Sequence, residues 1–181
     1  SDYIPLMIGY HTGLRLSAMF ALVWEDIDLE NKKLTVNRQV QWNPGKKRSE
    51  EEKKRTNGTS ESNGYWYFDT PKYDSYRTID MDDILTETLQ KEYNKQMKAR
   101  AYYEEYYSQY YCENEMLFSK PNEIIPINKI SEEKTPYIVD FVCRRENGSY
   151  VTPRTMQHAS YIIHRQLNFP KYDTHSLRHT H

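Results

Sequence analysis

Thr12-Gly13-Leu14-Arg15-Leu16-Ser17, followed by Trp24-Glu25-Asp26-Ile27-Asp28, decides how this chain is read. His11-Thr12-Gly13 ends the short apolar segment Tyr3 to Tyr10, because glycine suits a turn. Beyond it Leu16, Met19, Phe20 and Val23 recur at spacings of three and four, so Leu14 to Trp24 reads as a helix. Arg15 then falls at a turn-to-helix junction. Lys33 to Val40 alternates and is rich in β-branched residues, the pattern of a strand. Tyr65 to Asp69 and Arg77 to Met81 read as two more strands, joined by a turn with Pro71, Lys72 and Asp74. From Asp82 a long helix follows, with Leu85, Leu89, Tyr93, Met97 and Ala101 four apart. It is expected to continue through the tyrosine-rich run 102–111. Tyr137 to Cys143 is a further strand candidate. Thr152-Pro153 opens a helix that runs to about Leu167, Thr as N-cap and Pro at the first helical position. Thr174 caps a last helix that carries His175-Ser176-Leu177-Arg178-His179-Thr180-His181.

The whole is an α+β chain, mostly helical, with a small antiparallel three-stranded sheet. Its 181 residues suit one domain, with residues 43–63 as a flexible polar loop inserted in it. The mean hydropathy of -0.97 and the lack of any long apolar run argue against a membrane span. Ser1-Asp2-Tyr3 opens no secretory signal, and the lack of an initiator Met suggests a fragment or a processed chain. Two distant cysteines, Cys112 and Cys143, fit a reduced, cytoplasmic setting. The net charge is -1, but it is unevenly spread. Residues 32–77 hold eleven bases against six acids, and residues 144–181 six against two. Residues 78–125, by contrast, hold five bases and ten acids. If the fold joins the two basic blocks, they form a positive face; if unlike blocks pair, they do not.

The helix start T-G-L-R-x-S, then W-x-D-I-D and a strand, and much later H-x-L-R-H-T, resembles the catalytic domain of tyrosine recombinases, the phage-integrase family. The resemblance extends over nearly the whole chain. It makes the loop after Val40 and the tyrosine run local insertions. It implies that Arg15 and Arg178 grip the scissile phosphate, that His175 is an auxiliary acid/base, and that Lys72 protonates the leaving 5′ oxygen. Guanidinium forks suit a phosphate gathering negative charge, since they stay charged and bind oxygens bidentately. An imidazole can donate to such an oxygen or move a proton near neutral pH. The implied reaction is site-specific recombination of a phage or other mobile element, through a 3′-phosphotyrosyl intermediate. It needs no nucleotide cofactor and no metal. The implied partners are double-stranded DNA and further copies of the recombinase in a synaptic tetramer.

Two departures qualify the match. Ala18 stands where the family has an acid, and none of the 17 tyrosines follows Arg178. The chain is therefore expected to be a single catalytic domain, incomplete at its C-terminal end and inactive alone. The plainer alternatives stay open. Arg15 could pair with Asp26, and Lys72 could be an ordinary surface lysine. His175 and His179 have metal-ligand spacing but no evident third ligand. The protein could also be a non-catalytic DNA-binding remnant, or an unrelated interaction module using the tyrosine-rich helix.

Overall fold

A computed structural model describes residues 3–45, 64–112, 122–126 and 137–170. Helix α1 (Tyr3–Thr12) closes at Gly13, whose φ of 59° lets its N–H return to the Gly9 carbonyl at 3.0 Å. Only glycine takes that left-handed turn without cost. Arg15 follows in an extended conformation as the N-cap of α2 (Leu16–Met19), and its carbonyl accepts from the Ala18 and Met19 N–H groups.

The expected helix over Leu14 to Trp24 is thus cut to one turn. Phe20, Ala21, Leu22 and Val23 are all buried, so no helical face is left for solvent. Instead the Val142 N–H donates to the Leu22 carbonyl, Val23 bridges Phe141, and the Trp24 N–H donates to the Asp140 carbonyl. A short apolar run covered on every side pairs as a strand as readily as it coils. A single 3-10 turn, Trp24–Asp26, then leads into β1 (Ile27–Asp28).

The sheet content also departs from expectation. Lys33 to Val40 is two strands, β2 (Lys33–Val36) and β3 (Gln39–Asn43), split at Asn37-Arg38. With β4 (Tyr65–Asp69), β5 (Arg77–Asp80), β6 (Tyr110–Cys112), β7 (Asn122–Glu123), β8 (Ile125–Pro126) and β9 (Tyr137–Val139), they form three small antiparallel sheets rather than one. The orders are β1-β2-β5, β3-β4-β7 and β8-β6-β9. The split has a cause. Arg38 turns inward and meets buried Asp26 through Nη1 at 2.8 Å and Nη2 at 3.2 Å. Asp26 also accepts from the Val23 N–H and from Asn37 Nδ2. Burial pushes the Asp26 carboxyl above its ordinary value against the pull of Arg38, so this carboxylate depends on its partners.

Helix α3 (Asp83–Tyr103) is capped by Asp82, which accepts from the Leu85 N–H at 2.8 Å and also meets His11. Its inner face buries Leu85 and Leu89. Two turns further, Gln96 replaces an apolar residue: it accepts from Trp24 Nε1 and donates to the Val142 carbonyl. The helix does not continue through the tyrosine run. Glu104 has φ 46°, a 3-10 turn spans Glu104–Tyr106, and Tyr110 and Tyr111 enter β6. Tyr102 and Tyr106 stay about four-fifths exposed, whereas Tyr107 and Tyr111 are buried. Pairing with β8 and β9 overrides the local helical period there. Cys112 and Cys143 are free thiols in the core, pushed up to about 11 and about 12 by burial. Helix α4 (Pro153–Gln166) begins after Thr152, as its sequence suggests, and ends at Leu167. No described helix is long and apolar enough to cross a membrane.

Arg38→Met should lower stability by about 3–5 kcal/mol in urea unfolding, because it strands the Asp26 carboxylate in the core. The paired change Asp26→Leu with Arg38→Met should recover most of that loss. Asp82 behaves differently. The Leu85 N–H first, and then His11, hold its carboxyl below the ordinary value. Its contribution is therefore present above a pH of about 3.9 and is lost as pH falls through the depressed pKa. Asp82→Ala should cost about 1 kcal/mol near neutral pH, and the difference from the native chain should fade as pH falls through the depressed pKa of Asp82. A difference that persists undiminished in acid would contradict the electrostatic origin.

Candidate functional site

A cleft of about 500 Å³ opens where the start of α2 faces β3 and the β4–β5 turn. Leu14, Arg15, Leu16 and Ser17 form one side, Val40, Gln41 and Trp42 the other, and Trp66, Lys72 and Pro153 complete the rim. The wall is held by polar bonds: Ser17 Oγ donates to Gln39 Oε1, and Gln41 Nε2 donates to Asp69 Oδ2.

Arg15 and Lys72, far apart in sequence, line this one cleft. Arg15 is half-buried with a fixed backbone, and among the described residues no hydrogen bond or ion pair occupies its guanidinium. Asp26, the partner weighed for it, is taken by Arg38. Lys72 is exposed in a 3-10 turn, Lys72–Asp74, with Nζ 5.1 Å from the Tyr73 ring centre. That turn is tightly made. The Asp74 N–H reaches the Pro71 carbonyl and the Tyr76 N–H the Asp74 carbonyl, while Ser75 Oγ donates to the Lys72 carbonyl. Tyr73 and Asp74 are both left-handed, with φ 62° and 49°. Such non-glycine residues persist only where neighbouring bonds hold them.

His175 and Arg178, with the N-cap Thr174 and the flanking His179 and His181, lie outside the described residues, as do residues 46–63 of the loop. Ala18 is buried in the apolar core, so no carboxylate stands at that position. No group of three or more potential metal ligands occurs among the described residues.

Sequence reasoning missed Trp42, Trp66 and Arg154. Trp42 and Trp66 are cross-strand partners in the β3–β4 register, with ring centres 5.4 Å apart. The Arg154 guanidinium lies 4.6 Å from the Trp42 ring centre. The signal was present in the alternation of Val40, Trp42, Trp66 and Phe68, but it needs the strand register to be read.

Chemically, the cleft offers two cations beside an apolar wall and, among the described residues, no carboxylate on its lining, which suits an anionic ligand such as a phosphodiester.

No protein-family model and no curated protein matches the sequence. Solved structures do match in fold. The Tn1549 transposon integrase in complex with a circular intermediate DNA aligns with a TM-score of 0.57 at 20% identity, covering 99% of this chain and 44% of the integrase chain. The same integrase in complex with transposon right end DNA aligns with a TM-score of 0.57 at 19% identity, over the same shares. The chain thus has an α+β, integrase-like fold and spans less than half the length of those proteins.

Tyr73 tests how the lysine turn is held. Its ring is 81% exposed, and its backbone is in a conformation that glycine adopts freely. Tyr73→Gly should leave stability within about 0.5 kcal/mol, since relief of the left-handed strain offsets the entropy lost to glycine. A loss above about 1 kcal/mol in thermal or urea unfolding would show that the exposed ring packs in a way its exposure does not account for.

Proposed function

We propose that this chain is the phosphate-activating part of a tyrosine-type, site-specific DNA recombinase acting on a mobile element. The observation that carries the proposal is the meeting of Arg15 and Lys72 in one cleft, on an integrase-like fold. The integrase structures that share this fold are complexes with DNA, which supports duplex DNA as the partner.

In this mechanism Arg15 binds the non-bridging oxygens of the scissile phosphate and stabilises the charge that grows there. Its fixed backbone suits that task, as does a guanidinium that no hydrogen bond or ion pair occupies among the described residues. Lys72, on its braced turn, gives a proton to the leaving 5′ oxygen. Arg178 supplies a second guanidinium fork and His175 the auxiliary acid/base, both in the roles that the sequence motif assigns. The attacking group is a tyrosine hydroxyl, and the 3′-phosphotyrosyl bond keeps the energy for rejoining, so no cofactor is required. No tyrosine follows Arg178 in these 181 residues, so the proposal gives this stretch the phosphate site without the nucleophile. A DNA-bound tetramer and a cytoplasmic setting belong to the same proposal. The free thiols of Cys112 and Cys143 fit the latter.

Ala18 in the core favours a second reading, a DNA-binding relative that no longer recombines. An interaction module built on a tyrosine-rich helix is less supported, because that helix ends at Tyr103.

Binding of the 181-residue chain to a 30-base-pair duplex should weaken as salt rises. Arg15→Ala and Lys72→Ala should each weaken it further and lower the salt slope by about one. Salt-independent binding, or unchanged slopes in both variants, would refute the phosphate site. A nicked duplex should yield no covalent protein–DNA product with this chain, and a covalent adduct would overturn the assignment of the nucleophile.

A further inference from the structure

Arg154 is a cation beside the cleft that neither the sequence motif nor the proposed mechanism uses. It follows Pro153, a cleft-lining residue, in the first turn of α4, and it is exposed. Its guanidinium is held by an aromatic face, that of Trp42, and not by a carboxylate. Among the described residues it makes no hydrogen bond or ion pair, so none of them takes up its N–H edge, while one face is covered by Trp42. Trp42 is itself seated by a built feature. A Cβ at Gly64 would fall 2.3 Å from Trp42 Cζ2 and 2.9 Å from the Asn43 carbonyl oxygen, so the indole lies where only glycine leaves room. The Trp66 ring borders it within β4. On α4 itself the charge has one sign: the helix contains no Asp or Glu, and His158 and Arg165 are also exposed along it.

A guanidinium stacked on an indole loses little further freedom when its edge binds an anion, and it keeps the bidentate fork that phosphate oxygens match. An arginine held by a carboxylate would have that fork already filled. We propose that Arg154, presented by the Gly64–Trp42 platform, is a further DNA-backbone contact that clamps a phosphate beside the one bound by Arg15 and Lys72. The inference rests on the DNA-recombinase reading and adds to it a positioning residue on a different element. Its role is to hold the duplex in register over the cleft. Contact with a backbone phosphate makes the effect independent of base sequence.

The test is equilibrium binding of the 181-residue chain to 30-base-pair duplexes of two unrelated sequences, across a salt series. Arg154→Ala should weaken binding roughly tenfold on both sequences and lower the salt slope by about one. Arg154→Lys keeps the charge but not the fork, so it should recover the slope and only part of the affinity. Gly64→Ala removes no cation but displaces the indole, and should weaken binding roughly threefold in the native chain. In the Arg154→Ala background it should add no further loss. Lys95→Ala, on the outer face of α3, serves as the charge-matched control. Native affinity and slope in Arg154→Ala, while Arg15→Ala is impaired, would overturn the clamp and leave the proposed function standing. A loss confined to one sequence would overturn the phosphate assignment in favour of a base contact. A native chain without salt-dependent duplex binding would overturn both.

Discussion

The buried pair of Asp26 and Arg38 is the constraint on which the arrangement of this chain depends. Two opposite charges removed from water are costly, and only close geometry with further hydrogen bonds offsets that cost. Asp26 meets the condition with Arg38, Asn37 and the Val23 N–H. Arg38 meets it less fully, since among the described residues its Nε has no hydrogen-bond partner, although Phe68 lies beneath its guanidinium. The pair joins the segment after α2 to the junction between β2 and β3. It therefore fixes where one strand ends in its sheet and the next begins in another. Arg15, the cap of α2, and β3 line opposite sides of the cleft, so the same pair ties together the two segments that carry its walls.

A second polar centre does comparable work on the other side of the core. Asp140 accepts from Arg100 of α3 and from Arg144, while its backbone carbonyl accepts from the Trp24 N–H. Arg144 further donates to the carbonyls of Val139 and Phe141. These bonds satisfy irregular backbone that no strand or helix would pair. They let the apolar run Phe20 to Val23 pack beside Phe141 and Tyr150, whose rings stack at 4.2 Å. Among the described residues, Arg38 Nε, Arg100 Nε and Arg144 Nη1 are buried without a hydrogen-bond partner, so these two centres carry buried charge at some cost.

How much of this was legible follows from the range of the forces involved. A helix opening at Asp82, Thr152-Pro153 as a helix start and Tyr65 to Asp69 as a strand are set by neighbours within a few residues, and the structure has them as read. The tyrosine run was misread because its last residues pair with Tyr137–Val139, a partner that local periodicity cannot see. The helix over Leu14 to Trp24 failed for a similar reason, since spacing alone does not reveal that both faces are covered. At the candidate site, Arg15 and Lys72 were singled out by motif and turn chemistry, and they do share a cleft. Trp42 and Arg154 were not, because their contact depends on strand register and on where α4 lands. For His175 and Arg178 only the motif speaks, as both lie outside the described residues.

The two cysteines have a practical consequence. Both thiols sit in the core with their ionisation suppressed, and the thiolate is the form that reacts with alkylating reagents and disulfides. Burial and raised pKa both slow their reaction in the folded molecule, and they stand in different places: Cys112 in β6, which leaves the tyrosine run, and Cys143 against the Met19 carbonyl beside α2. Any opening that exposes one without the other becomes a timed, residue-specific label. The chain thus carries two native clocks, one on the small outer sheet and one on the core beneath the cleft, which read local opening without an added probe.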